Sequence, residues 1–267
     1  MKICDYCGKE NEEAMSFCVG CGTVLNAPKD TPTILQPKNR PRILNARFAT
    51  VIFLAYMVPQ FFYGFLTGVT ASNRLNPMGI IISLIIGGVA MIWMAFALIP
   101  KSIKDTSPIG AAWVLGEWKS IINGLIIGLI IGTFNEMLPL VAKHHTAHSP
   151  FHQIAFTSGL PQMIWVLITV IMAPPLEEML FRGILYGGYC KSFGSLRAAI
   201  FITLLFVAIH FPYYIHDLLA VFGIIAGALA TLWCRLHWNA IGPAVAVHVG
   251  YNFIIAFSVI YWTWLKH

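Results

Sequence analysis

The chain has 267 residues, 58% of them hydrophobic and only 10% charged, with a mean hydropathy of +0.74. Such a composition excludes an ordinary soluble domain and points to an integral membrane protein. The formal net charge of +6 reads as membrane topology and contact with anionic lipid rather than as a nucleic-acid patch.

In chain order, residues 1–25 come first: polar, cysteine-rich and unlike a cleavable signal peptide. Cys4, Cys7, Cys18 and Cys21 form C-x2-C-x10-C-x2-C, with Gly8 and Gly22 just after each pair. Two such knuckles bring four thiolates to one tetrahedral Zn²⁺, and the glycines permit the tight turns beneath it. The competing reading, two disulfides, needs an oxidising compartment. Lys2 and Lys9 are outnumbered by Asp5, Glu10, Glu12 and Glu13, which argues against a nucleic-acid finger and for a module that docks a cytosolic protein or aids folding. Residues 26–47 are rich in proline and positive charge and read as an extended linker.

Residues 48–267 form the membrane domain. Apolar runs near 48–70, 78–99, 118–139, 161–190, 197–211, 217–236 and 240–263 read as about seven spans of an all-α polytopic bundle. Pro59 is expected to kink the first. Pro174–Pro175 interrupts the fourth, and the fifth is short. Cys190 and Cys234 read as buried thiols. Trp118, Trp262 and Trp264 read as headgroup-level anchors, and Glu117 and Glu136 as interfacial.

Lysine and arginine placement gives the orientation. With a cytoplasmic N-terminus, Lys29, Lys38, Arg40, Arg42, Arg47, Lys101, Lys104, Lys119, Lys191, Arg197 and Arg235 fall inside. Arg74, Lys143 and Lys266 fall outside. Zinc-binding thiolates also persist best in a reducing cytosol. The expected location is the cytoplasmic membrane.

Within the fourth span, "APPLEEMLFRG" places Glu177, Glu178 and Arg182 in an apolar setting. A charge at mid-helix costs ~2.5–3.5 kcal/mol on insertion, and each leucine-like residue returns only ~0.3–0.6 kcal/mol. The three must therefore face protein or trapped water. Glu178 and Arg182, four apart, share a helical face and neutralise each other. Glu177 points about 100° away and lacks that partner, so it is the carboxylate left for chemistry. Proline ends one helix and suits the first turn of the next, so Glu177 is expected in the first turn of a new helix.

"FVAIHFP" then sets Phe206 and His210 four apart, and "AVHVGYNF" does the same for His248 and Asn252. Lys191 is 14 residues from Glu177, Arg197 is 13 from His210 and His237 is 11 from His248. At ~1.5 Å per residue these become depths of roughly 21, 20 and 17 Å, which agree within about one turn. A shared polar cluster inside the membrane is the expectation. Few aspartates occur in the spans, no G-x-S-x-G elbow is present, and Ser195 and the histidines at 144, 145, 148 and 152 read as loop residues.

E-E-x-x-x-R, F-x-x-x-H and H-x-x-x-N, in this order on separate membrane helices, resemble the CPBP family of type II CAAX prenyl endopeptidases and bacterial Abi and bacteriocin-processing relatives. The resemblance covers about the last 110 residues, with a motif-bearing core near 160–263. It implies an intramembrane endopeptidase acting on a membrane-associated protein or peptide. Glu177 and His210 would activate water, with Glu177 as general base. His248 and Asn252 would hydrogen-bond the scissile carbonyl. Glu178 and Arg182 would hold the glutamate helix, and Phe206 would pack beside His210. A catalytic metal is left open: Glu plus two His suits Zn²⁺, H-E-x-x-H is absent, and metal-free water activation is also attributed to the family. Two other function classes stand beside this one. A proton-coupled transporter would use a Pro-broken helix with buried charges, and a membrane scaffold or immunity protein would use the zinc module alone.

Overall fold

The computed structural model describes residues 1–3, 10–15, 18, 25, 45–69, 77–98, 114–142, 159–214 and 217–265. Cys4, Cys7, Cys21, most of the 26–47 linker, Lys101, Lys104 and the histidine-rich 144–152 stretch lie outside the described residues. Strands β1 (Lys2–Ile3) and β2 (Glu10–Asn11) pair antiparallel at the N-terminus, with Lys2 opposite Asn11. Cys18 is buried.

Helices carry the rest: α1 (Ala46–Val69), α2 (Pro77–Leu98), α3 (Trp118–Ala142), α4 (160–193), α5 (Ser195–Tyr214), α6 (Leu218–His237) and α7 (Gly242–Leu265). Each coincides with an apolar run read from the sequence. Among the described residues, however, five are long and apolar enough to cross a membrane, which corrects the expected count of about seven. In α2 and α5 the apolar stretches, Ile81–Ala97 and Ser195–Phe211, are shorter than the ~20 residues that a ~30 Å hydrocarbon layer demands. Pro59 lies inside α1 without ending it.

The bundle is apolar outside. Leu54, Val58 and Phe61 on α1, Ile86, Val89 and Trp93 on α2, and Phe253 and Phe257 on α7 are all exposed. In water such a surface would aggregate; in lipid it is the solvated face. Trp118 and Trp262 are exposed near helix ends, as headgroup anchors require. The protein is an integral, multi-pass membrane protein.

Two charges lie against the packed interior. Arg235, placed on the cytoplasmic side by the orientation, is only 1% exposed and donates to Asn239 in the turn after α6. Glu136, read as interfacial, is half-buried near the end of α3 with Ser258 of α7 beside it.

α3 and α7 run parallel in close contact. A Cβ added to Gly124 would strike the Pro243 carbonyl, one on Gly128 the Val247 carbonyl, and one on Gly132 the Ile254 side chain at 2.9 Å. Glycine every fourth residue lets two backbones meet where lipid offers no hydrophobic drive, and packing then holds them.

α4 is not broken at its prolines, contrary to expectation. It runs as α-helix over Leu160–Val166, π-helix over Leu167–Met172, α-helix over Ala173–Glu178, π-helix over Met179–Leu185 and α-helix over Tyr186–Phe193. A proline ring collides with the carbonyl four residues back, and a widened turn just upstream relieves that collision. Every residue from Leu180 to Leu185 is buried. A helix covered all round is the centre of its bundle.

Candidate functional site

Glu177 and Glu178 project from the middle of α4, between its two π-helical stretches. Glu178 is fully buried. It makes an ion pair with Arg182 Nε at 3.2 Å and accepts from His248 Nδ1 at 2.8 Å. Against a carboxylate already paired with arginine, the imidazole is the donor, so Nδ1 of His248 carries hydrogen. Its Nε2 is thereby turned to Glu177, 4.0 Å from Oε2.

His210 arrives from α5 in the same tautomer. Its Nδ1 lies 2.7 Å from the Phe206 carbonyl, which can only accept. Its Nε2 stands 3.8 Å from the same Glu177 oxygen. Phe206 packs against the His210 ring at 4.4 Å between centroids and lies 4.3 Å beneath the Arg182 guanidinium.

Glu177, His210, His248, Glu178, Arg182 and Phe206 thus gather in one place from α4, α5 and α7. The chemistry of the gathering is specific. Two imidazole Nε2 atoms and a carboxylate oxygen, all acceptors when the rings are neutral, point at one another. The gaps of 3.8 and 4.0 Å are too long for direct hydrogen bonds and suit one bridging water. Glu177 Oε2 is buried and takes no hydrogen bond inside the protein. Two imidazoles and a carboxylate are also zinc-type donors. Among the described residues, though, no group of three or more His, Cys, Asp or Glu side chains is disposed to hold a metal ion.

Asn252, one turn beyond His248, is occupied differently from the expectation. Its amide donates to the Thr169 carbonyl of α4 at 2.7 Å, leaving its second amide hydrogen for another acceptor. Thr169 needs that donor. Ala173 N–H bonds back to Ile168, in the wide π pattern, and the next residue, Pro174, has no N–H to give Thr169. The Pro-Pro pair therefore creates the acceptor that Asn252 fills. Sequence reasoning missed Thr169, although a proline four or five residues downstream of a helical carbonyl is a readable signal.

The arrangement defines a class: a polytopic membrane bundle that carries a glutamate–histidine cluster among its helices. Residues 159–254 match the model of one family, described as Rce1-like, type II CAAX prenyl endopeptidase Rce1-like. The matched stretch includes every residue of the cluster, and it supports a protease of the CAAX type. Residues 1–158 lie outside it. No curated protein and no solved structure matches the chain.

Proposed function

We propose that this chain is an intramembrane endopeptidase that hydrolyses a peptide bond of a membrane-associated protein or peptide with a glutamate-activated water. The observation that carries the reading is the convergence of His210 Nε2 and His248 Nε2 on the buried Oε2 of Glu177, at 3.8 and 4.0 Å.

A water set among these atoms donates one hydrogen to Glu177 and the other to an imidazole Nε2. Its oxygen attacks the scissile carbonyl carbon as one proton passes to Glu177. A C–O bond forms, and the carbonyl electron pair moves onto oxygen. The second amide hydrogen of Asn252 is available to that oxyanion. Collapse breaks the C–N bond, Glu177 returns the proton to the leaving amine, and a carboxyl and an amino terminus separate. Glu178 and Arg182 hold the glutamate helix, and Phe206 seats His210. The carrier alternative drew on a helix broken at Pro174–Pro175, whereas α4 is continuous.

Two further assignments belong to this proposal. Cys4, Cys7, Cys18 and Cys21 bind one structural Zn²⁺, a reading supported by the β1–β2 pair that brackets Cys4 and Cys7. The N-terminus is cytoplasmic, as the lysine and arginine bias favours.

The test is cleavage of a membrane-inserted peptide library, with and without prenyl groups, by the purified parent, Glu177→Ala and His210→Ala proteins in proteoliposomes. Both variants should lose at least ~100-fold in kcat, the usual scale for a positioned acid–base group. Equal cleavage by all three proteins removes the mechanism, and a solute flux that persists without cleavage favours the carrier.

A further inference from the structure

α1 lies outside the family match, yet it borders the catalytic glutamate. Ala46 N–H donates to Ser192 Oγ at 3.0 Å, Thr50 Oγ1 meets Tyr189 OH at 2.9 Å, and the Phe53 ring meets Phe181 edge-on at 5.9 Å. These pairs run antiparallel, so a step up α1 is a step back along α4. One turn beyond Phe53 is Tyr56; one turn back from Phe181 is Glu177. Consecutive glycines of α2 place the same level independently. A Cβ on Gly87 would strike the Tyr56 carbonyl, and one on Gly88 would crowd Leu176, the neighbour of Glu177, at 3.1 Å.

Tyr56 is 1% exposed, and its hydroxyl makes no aligned hydrogen bond. Gln60 lies beside it: its amide donates to the Tyr56 carbonyl at 3.0 Å and also acts as a donor toward the phenol oxygen, which leaves the hydroxyl's own hydrogen without an acceptor. The charge that acts on the hydroxyl is that of Glu177. A buried donor and a buried acceptor, each unmatched, thus sit at one level of adjoining helices. Leaving either unmatched is costly, and a single water accepting from the phenol and donating to the carboxylate satisfies both.

Resting on the hydrolytic reading above, we infer that Tyr56 is a positioning residue, whose hydroxyl fixes the Glu177 carboxylate through one shared water.

Tyr56→Phe removes only the hydroxyl and keeps the ring, so the packing of α1 is retained and the shared water alone loses a partner. The experiment measures kcat, KM and thermal midpoint for full-length Tyr56→Phe and Glu177→Ala, using the library peptide that the parent cleaves fastest. The expected result is a fall of about 10-fold or more in kcat for Tyr56→Phe, the scale of a lost hydrogen bond to a charged group. KM should stay within about twofold and the midpoint within a few degrees of the parent's. If Glu177→Ala is inert and Tyr56→Phe keeps the parental kcat, the hydrolytic reading stands and this inference is overturned. A fall in kcat matched by a lower midpoint or a raised KM assigns Tyr56 to packing and also overturns it. If Glu177→Ala cleaves like the parent, or the parent cleaves nothing in the library, the hydrolytic reading itself fails.

Discussion

Arg182 joins four helices through one guanidinium. Its Nε faces Glu178 at 3.2 Å, its Nη2 donates to the Ala228 carbonyl of α6 at 3.1 Å, and its plane covers Phe206 of α5. Through Glu178 it reaches His248 of α7. Glu178 and Arg182 are buried to 0% and 2% side-chain exposure, so neither charge has water to fall back on. A buried pair is weak evidence of net stability, because desolvation offsets the attraction; removing one partner is another matter, since the survivor is left uncompensated. Arg182→Met is therefore expected to destabilise the bundle by about 3–5 kcal/mol, measured by denaturation in detergent. Arg182→Lys should recover only part, because an ammonium cannot span a carboxylate, a carbonyl and a ring together. Adding Glu178→Gln to Arg182→Met should relieve the methionine variant, a coupling that a double-mutant cycle reads directly. A methionine variant that melts with the parent would show that the pair holds nothing.

At the level of elements, the decisive feature is the helix that carries both glutamates and both prolines. Pro174 withholds an N–H from Val170 in an α turn and from Thr169 in a π turn, and α4 adopts the wider turn and lends one carbonyl to Asn252. Pro174→Ala restores that N–H. The stretch should relax toward regular α-helix, Asn252 should lose its exclusive claim on Thr169, and Glu177 should shift against His210. Cleavage is expected to fall by about 10–100-fold, the penalty for a misplacement of about 1 Å, without loss of thermal stability. An unchanged kcat would mean that the π turn merely accommodates proline. The same helix marks what the sequence could and could not tell. The Glu178–Arg182 pair and the His248–Asn252 spacing were legible because i,i+4 geometry is local. The unbroken path through Pro174–Pro175 was not, because it depends on surroundings: in lipid no water takes the freed carbonyls, so side chains of facing helices must. Gly124, Gly128 and Gly132 stand in plain view as a small-residue stripe, but only the packed bundle names α7 as their partner. Tyr56 looked like any aromatic of a membrane span until packing set it one turn past Phe53, at the level of Glu177.

For the whole molecule, two questions about metal are separable because they concern different regions: four cysteines ahead of α1, and a glutamate–histidine cluster inside the bundle. Glu177, His210 and His248 are only partly exposed among the helices, whereas the cysteines precede every span. The parent is expected to carry about one Zn²⁺ per chain, lost in Cys4→Ser and Cys18→Ser proteins, with metal content read by elemental analysis. The cysteine variants then serve as the background for the second question. In the proposed mechanism, water activation by Glu177 and the imidazoles needs only the acceptors already present, so prolonged chelation of Cys4→Ser protein should leave kcat where it was. A chelator effect confined to the parent would trace to the N-terminal module and its support of the bundle. Loss of cleavage by chelated Cys4→Ser protein, restored by added Zn²⁺ together with bound metal that the His210→Ala change abolishes, would instead put an ion on the cluster itself. In that event Glu177 would share the water with a Lewis acid, and the glutamate-only mechanism would have to be withdrawn.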